Sequence, residues 1–404
     1  MRVFGVAALV LAAGAAAAWG APSEPSLTPA FDALPRGRRA PKPEPWARAP
    51  AEIPAEPAPQ AEGIENPALP PRRLRLKPEK LTRRPFAILR TRAWLAGGSA
   101  DTRFGVQVPP AQITPPAVVY TGQTQERGAS GVMIVSSLEL APFEFLSFEV
   151  QYGRDKARGH YDEKYWIHAP DAYRLIYFPT GATWHNPNHE DDLVYGADVA
   201  ARREWAVATA YLRLVDAKIN APEGLDLRHT FDFAVGVERL RQNADLTNLA
   251  ITANSKKYYS NADPGPIPGF ASTYDALWQA PHFGIREEVT ALTGFSLQGL
   301  FFYSPAADYH GRGFDNFAAE PGGGGRAESP NFADWAHGSM YHFEVDMGWA
   351  WPNFRVEAGY QQVNFFARKG LRRYYLSDGT TADRVLDYAQ AELGGFFAGA
   401  SLRF

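Results

Sequence analysis

Residues 394–404 read GGFFAGASLRF, and the sequence stops on Phe404 with no polar tail. Every second residue back from the end gives Phe404, Leu402, Ala400, Ala398 and Phe396, all apolar; the other set gives Arg403, Ser401, Gly399 and Phe397. That is the period-two pattern of a β-strand. An aromatic beside a terminal carboxylate suits a strand that closes a barrel and ends at a membrane interface, where aromatic girdles form.

The same alternation recurs from Pro85 onward. Leu89, Ala93 and Leu95 oppose Arg90 and Arg92; Val132, Ile134, Leu138 and Leu140 oppose Ser137 and Glu139. Phe231, Phe233, Val235 and Val237 oppose Asp232 and Glu238, and Phe295, Leu297, Phe301 and Tyr303 oppose Ser296, Gln298 and Ser304. Tyr341 to Trp351 oppose His342, Glu344 and Asp346, then Phe354, Val356, Ala358 and Tyr360 oppose Arg355 and Glu357. At Gln361-Gln362 the apolar parity passes to Val363 and Phe365, as a bulge would cause. Turns are expected at Ala141-Pro142-Phe143, Arg203-Glu204, 239–243, 290–294 and Pro352-Asn353. Longer polar joins are expected near 98–127, 156–191, 217–228, 259–272, 311–338 and 369–388.

Short turns on one side and long loops on the other predict an all-β fold, a transmembrane antiparallel up-and-down barrel over 85–404 of about twelve strands, or ten. A soluble β-sandwich also has many short strands. The apolar face here, however, carries Tyr and Trp near strand ends, such as Trp349 and Trp351. The lumen would receive Arg90, Arg92, Glu139, Glu149, Asp198, Arg202, Asp232, Glu238, Arg286, Glu288, Glu344, Asp346, Arg355 and Glu357. With both signs interspersed, these charges are expected to pair across a narrow bore.

Ahead of the barrel, residues 1–20 carry Arg2, an apolar run and Ala18-Trp19-Gly20, the pattern of a signal peptide cleaved before Ala21. Residues 21–84 have a proline about every four or five positions and no apolar periodicity, so a disordered periplasmic segment is expected. Its basic end suits either a solvated linker or a tether to peptidoglycan, lipid or a periplasmic partner. The chain has no Cys and a net charge of −3, so thiolate chemistry is excluded and a nucleic-acid partner is not indicated. No cofactor is implied.

Three clusters can carry chemistry. In SPAADYHG (304–311), Asp308 and His310 are two apart and share a face of a strand. Parity from Ser304 places them in the lumen unless Pro305 introduces a slip, and an Asp beside an imidazole can activate water. The second cluster, WHNPNHEDD (184–192), has His185 and His189 with Glu190, Asp191 and Asp192; Pro187 argues against the helix that metal-ligand spacing would need, and a polar loop is expected with no metal. The third is basic. Arg154, Lys156 and Arg158, with Arg368, Lys369, Arg372 and Arg373, fall where phosphate groups of outer-membrane lipid or lipopolysaccharide would lie. The run Gly322–Gly325 lacks the context of a phosphate loop.

The segments PHFGI (281–285), FSLQGLFFYS (295–304) with DYH (308–310), MYHFEVDMGWAWPNFRVEAGYQ (340–361) and LAGGSADTRF (95–104) resemble the omptin family of outer-membrane endopeptidases. The resemblance covers about a third of the chain. It implies a barrel whose active site lies on the extracellular rim, where an Asp-His pair faces a second acidic pair across a cleft and activates water. Asp308 and His310 match the first pair. For the second, GHYDEKYW (159–166) offers Asp162 and Glu163, with Lys164 where an acid is expected. The resemblance also implies ten strands. The readings carried forward are therefore an omptin-like endopeptidase, a narrow channel, and a structural barrel with a periplasmic interaction tail.

Overall fold

The alternating runs fold as one antiparallel sheet rolled into a ring. The computed structural model describes residues 85–107, 118–167, 193–220, 226–254, 264–291, 294–315, 330–351, 353–376 and 379–404. Residues 1–84, the 184–192 cluster and Gly322–Gly325 lie outside the described residues. The strands are β1 (Ala87–Gln107), β2 (Val118–Phe143), β3 (Leu146–Ile167), β4 (Leu193–Asn220), β5 (Asp226–Asn254), the two-residue β6 (Gly265–Pro266), β7 (Ser272–Ala291), β8 (Phe295–Asp315), β9 (Phe332–Ala350), β10 (Phe354–Tyr375) and β11 (Thr381–Arg403).

Ten of them close the ring, through β4–β5 and β1–β11 pairings, while β6 only adds to β5 beside Ala250 and Ile251. Phe404 N–H donates to Ala87 O at 2.9 Å, so the last residue is tied to the first strand. Both strand termini share one end of the ring with the turns after β2, β4, β7 and β9; this is called the terminus end, and the other the loop end. At the β7–β8 turn Gly294 has φ of +99°, a conformation that needs glycine.

The ring has ten strands, the lower of the two counts expected. Arg203-Glu204 and residues 239–243 are not turns: β4 and β5 run straight through them for 28 and 29 residues. The expected long join at 217–228 is instead the β4–β5 turn at the terminus end. What was expected as the first part of several loops is strand, since β1 continues to Gln107, β3 to Ile167 and β8 to Asp315.

These misreadings share one cause, which is that the strands outrun the membrane. A tilted strand crosses lipid in about 9–11 residues, and these have 19 to 29. On β9 the exposed apolar row runs from Trp349 through Met347, Val345 and Phe343 to Tyr341, about 19 Å at a tilt near 45°. Matching exposed rows end at Tyr152 on β3 and Tyr303 on β8, forming a loop-side girdle; Phe143, Phe145, Phe295, Trp351 and Phe404 form the terminus-side girdle. This belt is the lipid-facing surface.

Inside the belt the bore is polar. Twelve of the fourteen charges expected there are turned inward or to the inner rim, and eleven of them are buried. Arg92 Nη1 donates to Glu344 at 2.9 Å and Nε to Glu357 at 2.5 Å; Arg286 reaches across the ring from β7 to Glu139 on β2 at 3.0 and 3.1 Å. Asp198 and Arg202 are the exceptions and face outward.

Above the belt the pattern inverts. Inward positions become apolar, with Trp94, Ala96 and Phe104 on β1, Trp205 on β4, Trp278 on β7, Tyr309 on β8 and Val363 and Phe365 on β10, all buried. Outward positions become charged or polar, as in Arg154, Lys156 and Arg158 on β3 or Glu204 and Arg202 on β4. The outer medium has changed from lipid to water, so the apolar side chains gain by turning in, each buried large one contributing roughly 1.5–3 kcal/mol. Hence Val363 and Phe365 need no slip at Gln361-Gln362, and pairing on both sides of β10 is in register there. The irregularity lies at Lys369, with φ of +55°.

The bore is filled at this level. Trp94 and Trp205 meet edge to face at 5.8 Å, Trp205 meets His342 at 5.8 Å, and Trp205 Nε1 donates to Glu238 Oε1 at 2.7 Å. Arg203 donates to Asp155 and to the Ala96 and Ala129 carbonyls, and Gly98 makes room for it, because a Cβ there would lie 2.6 Å from Nη1.

Candidate functional site

Chemistry can reach only the loop-end half, because the belt is in lipid and the bore below is packed. On β8 the chain slips at Pro305-Ala306, where pairing to β9 jumps from Ser304 to Ala307. Inward parity therefore passes from Ser304 to Ala307 and Tyr309, and Asp308 and His310 turn outward. The lumenal placement expected from Ser304 does not hold. Asp308 Oδ1 instead lies 2.6 Å from Nδ1 of His337, its cross-strand neighbour on β9, and both side chains are at least half exposed.

Asp162 and Glu163 sit on β3, four strands from β8 around the ring. Asp162 lies on the outer side with His160, 3.3 Å away, and Arg127, 3.8 Å away. Glu163 accepts from the Tyr161 hydroxyl at 3.2 Å, and Tyr161 packs against the apolar interior. The two acid-containing sets lie four strands apart in the ten-strand ring, and Asp162, Asp308 and His310 all point to its outer side.

The basic set divides. Arg154, Lys156 and Arg158 form an exposed outward row directly above Tyr152, and Lys156 lies opposite Arg202 of β4. Arg368 is exposed, 4.5 Å over the Phe366 ring, and Lys369 is exposed beside it. Arg373 donates to Asp383 at 2.7 and 2.9 Å. Arg372 is buried inside the barrel, bidentate to Asp334 at 2.7 and 2.8 Å and stacked on Phe104 at 3.8 Å, so it cannot touch a lipid headgroup.

Two inner polar clusters in the loop-end half escape a reading by motif. Around Asp334, Tyr274 donates to Oδ2 at 3.0 Å and also bonds the Tyr309 hydroxyl. Burial, then the neighbouring negative charge, pushes both tyrosines up. Burial opposes the charge on Arg372, and Asp334 outweighs it, so the guanidinium stays charged. On the far wall Glu126 of β2 accepts from Gln242 of β5, and its other oxygen is buried without a hydrogen bond. These residues come from six strands and have no common spacing. Only the inward parity of each strand unites them.

Burial pushes the Glu126 carboxyl up to about 7 against the pull of Arg203. An unfolded glutamate titrates near 4.3, so between these values the folded state holds a proton that the unfolded state has lost, and stability falls as pH rises through that window. Glu126→Gln is expected to raise the urea midpoint of the detergent-solubilised barrel at pH 8, with the gain shrinking to nothing at pH 4. An equal gain at both pH values would contradict this. Among the described residues no three His, Asp or Glu side chains converge as a metal site.

No protein-family model and no curated protein matches the chain. Among solved structures it is similar to the outer membrane protease OmpT of Escherichia coli, at 14% identity and a TM-score of 0.57, over 81% of this chain and 100% of that one. A Pseudomonas aeruginosa FadL homologue aligns at 9% identity over 80% and 93% of the two chains, with a TM-score of 0.21. The likeness to OmpT is one of fold, and the fold of this chain is that of an outer-membrane β-barrel.

Proposed function

We propose that the chain is a closed, non-conducting outer-membrane barrel that carries its water-exposed half, the loop end, on the cell surface as a binding platform. The observation supporting this is the blocked bore: Trp94, Trp205, Glu238 and His342 touch one another across it, and each is less than 2% exposed. The exposed row Arg154, Lys156 and Arg158 would hold phosphate groups of the outer leaflet. Lys156 directly opposite Arg202 favours this, since like charges facing each other repel unless an anion lies between them. Residues 21–84 would reach a partner or peptidoglycan in the periplasm. In planar bilayers the purified protein is expected to give no steady single-channel steps, and an ohmic conductance would overturn the reading.

A second reading has one observation in its favour. Asp308 holds Nδ1 of the exposed His337, which leaves Nε2 to take a proton from water, with His310 on the same face. An omptin-like peptidase would then work through Asp308 and His337. Cleavage of basic peptides that is lost in both Asp308→Ala and His337→Ala would establish it, and the platform reading expects no cleavage.

A further inference from the structure

Three neighbouring strands line an open cleft of about 340 Å³ near the loop end, on the outer side of the barrel. Strand register sets its side chains in two rows. Asn243, Asp275 and Arg312 stand directly opposite one another on β5, β7 and β8, and Asp245, Thr273 and Phe314 form the next row. Rows two residues apart share a face. The residues between them, Ala244 and Gly313, are buried and face in, so all six point outward. The rows are about 7 Å apart and the outer strands about 10 Å, a footprint that suits one sugar ring. Pro330 closes one wall.

The chemistry is balanced. Asp275 is fixed by Arg241 at 2.8 and 3.0 Å, while Asp245 has no ion pair or side-chain hydrogen bond among the described residues. Two carboxylates meet two guanidiniums, Arg241 and Arg312, so neither an anion nor a metal cation is favoured. Asn243 and Thr273 each donate and accept, Asp245 only accepts and Arg312 only donates. Phe314 adds one apolar plate. A ligand matching this set is uncharged, carries adjacent hydroxyls that both donate and accept, and has one apolar face. The cleft is also at the small end of ligand sites.

We infer that this cleft binds a neutral hexopyranose. It lies about seven residues up β7 from Pro281, the last exposed apolar position there, or roughly 16 Å above the belt. Sugars on the outer-leaflet glycolipid and free saccharides both carry this chemistry. The inference depends on the outward placement of the six residues and is independent of whether the bore conducts.

The test uses the full chain in a zwitterionic detergent free of sugar headgroups. Saturation-transfer NMR and calorimetry would be run with methyl pyranosides of glucose, galactose and mannose, and separately with delipidated core oligosaccharide. Saturable binding of at least one probe is expected, weakened tenfold or more by Asp245→Ala and by Phe314→Ala, with Asp387→Ala on the exposed face of β11 unchanged as a control. Binding of the methyl pyranosides points to a free saccharide, and binding of the core oligosaccharide alone points to a lipid-borne one. No saturable binding of any probe, or binding unaffected by both substitutions in barrels that retain their heat-modifiable mobility, overturns the inference.

Discussion

Replacing Arg286 with leucine is expected to destabilise the barrel by about 3–5 kcal/mol, the range found when one partner of a buried ion pair is removed. The side chain holds Asp232 of β5 at 2.9 and 3.1 Å and Glu139 of β2 at 3.0 and 3.1 Å, and lies 3.6 Å over the Tyr211 ring. Without it, Asp232 keeps Arg213 at 3.1 Å, and Glu139 keeps the Ser147 hydroxyl at 2.7 Å. The loss therefore falls mainly on Glu139, a buried carboxylate that gives up the guanidinium bonded to both of its oxygens. Adding Glu139→Gln should restore much of the stability, because the remaining group is neutral. Urea midpoints of wild type, Arg286→Leu and the double variant, folded in the same micelles, read this out; a double variant no more stable than the single would mean that the loss lies in packing rather than charge.

Second in size is a charge placed on the belt. Val345 lies midway between Trp349 and Tyr341 on the outer face of β9, flanked by Gly299 and Tyr360 on its neighbours. Arginine there is expected to cost about 2–4 kcal/mol, the value for a cation at the bilayer midplane of such barrels. Gly299 has no side chain to pair with it and Tyr360 offers only a neutral hydroxyl, so the guanidinium would have to climb toward Tyr341 to reach water. The readout is folding stability in lipid vesicles, compared with Val345→Ala as the packing control.

The belt was legible because its alternation is strict and one-sided: Phe295 to Tyr303 and Tyr341 to Trp351 could be assigned to the outer face from spacing alone. So was the charge-lined bore, including Arg92 with Glu344. The loop-end half was harder because the same alternation there has the opposite meaning. Asp198, Arg202 and Glu204 in ADVAARREWAV (197–207) read as lumen and turn when lipid is assumed outside, yet they are the wet face of a strand in water. That reversal added two strands, turned Asp198 and Arg202 the wrong way and put a slip at Gln361. Asp308 and His310 were misplaced for a local reason: Pro305 removes a backbone donor and the strand takes up one extra residue beside it. The His337 partner of Asp308 had no sequence signal, because the two residues meet only through the cross-strand register of β8 and β9, which the folded sheet sets.

An arginine series up the outer face of β9, at Met347, Val345, Tyr341 and Ser339, tests most directly whether the outer medium changes from lipid to water part-way along the strands. The stability cost should peak at Val345, fall to about 0–1 kcal/mol at Tyr341 and vanish at Ser339. A cost at Ser339 as large as that at Val345, or none at Val345, would contradict it.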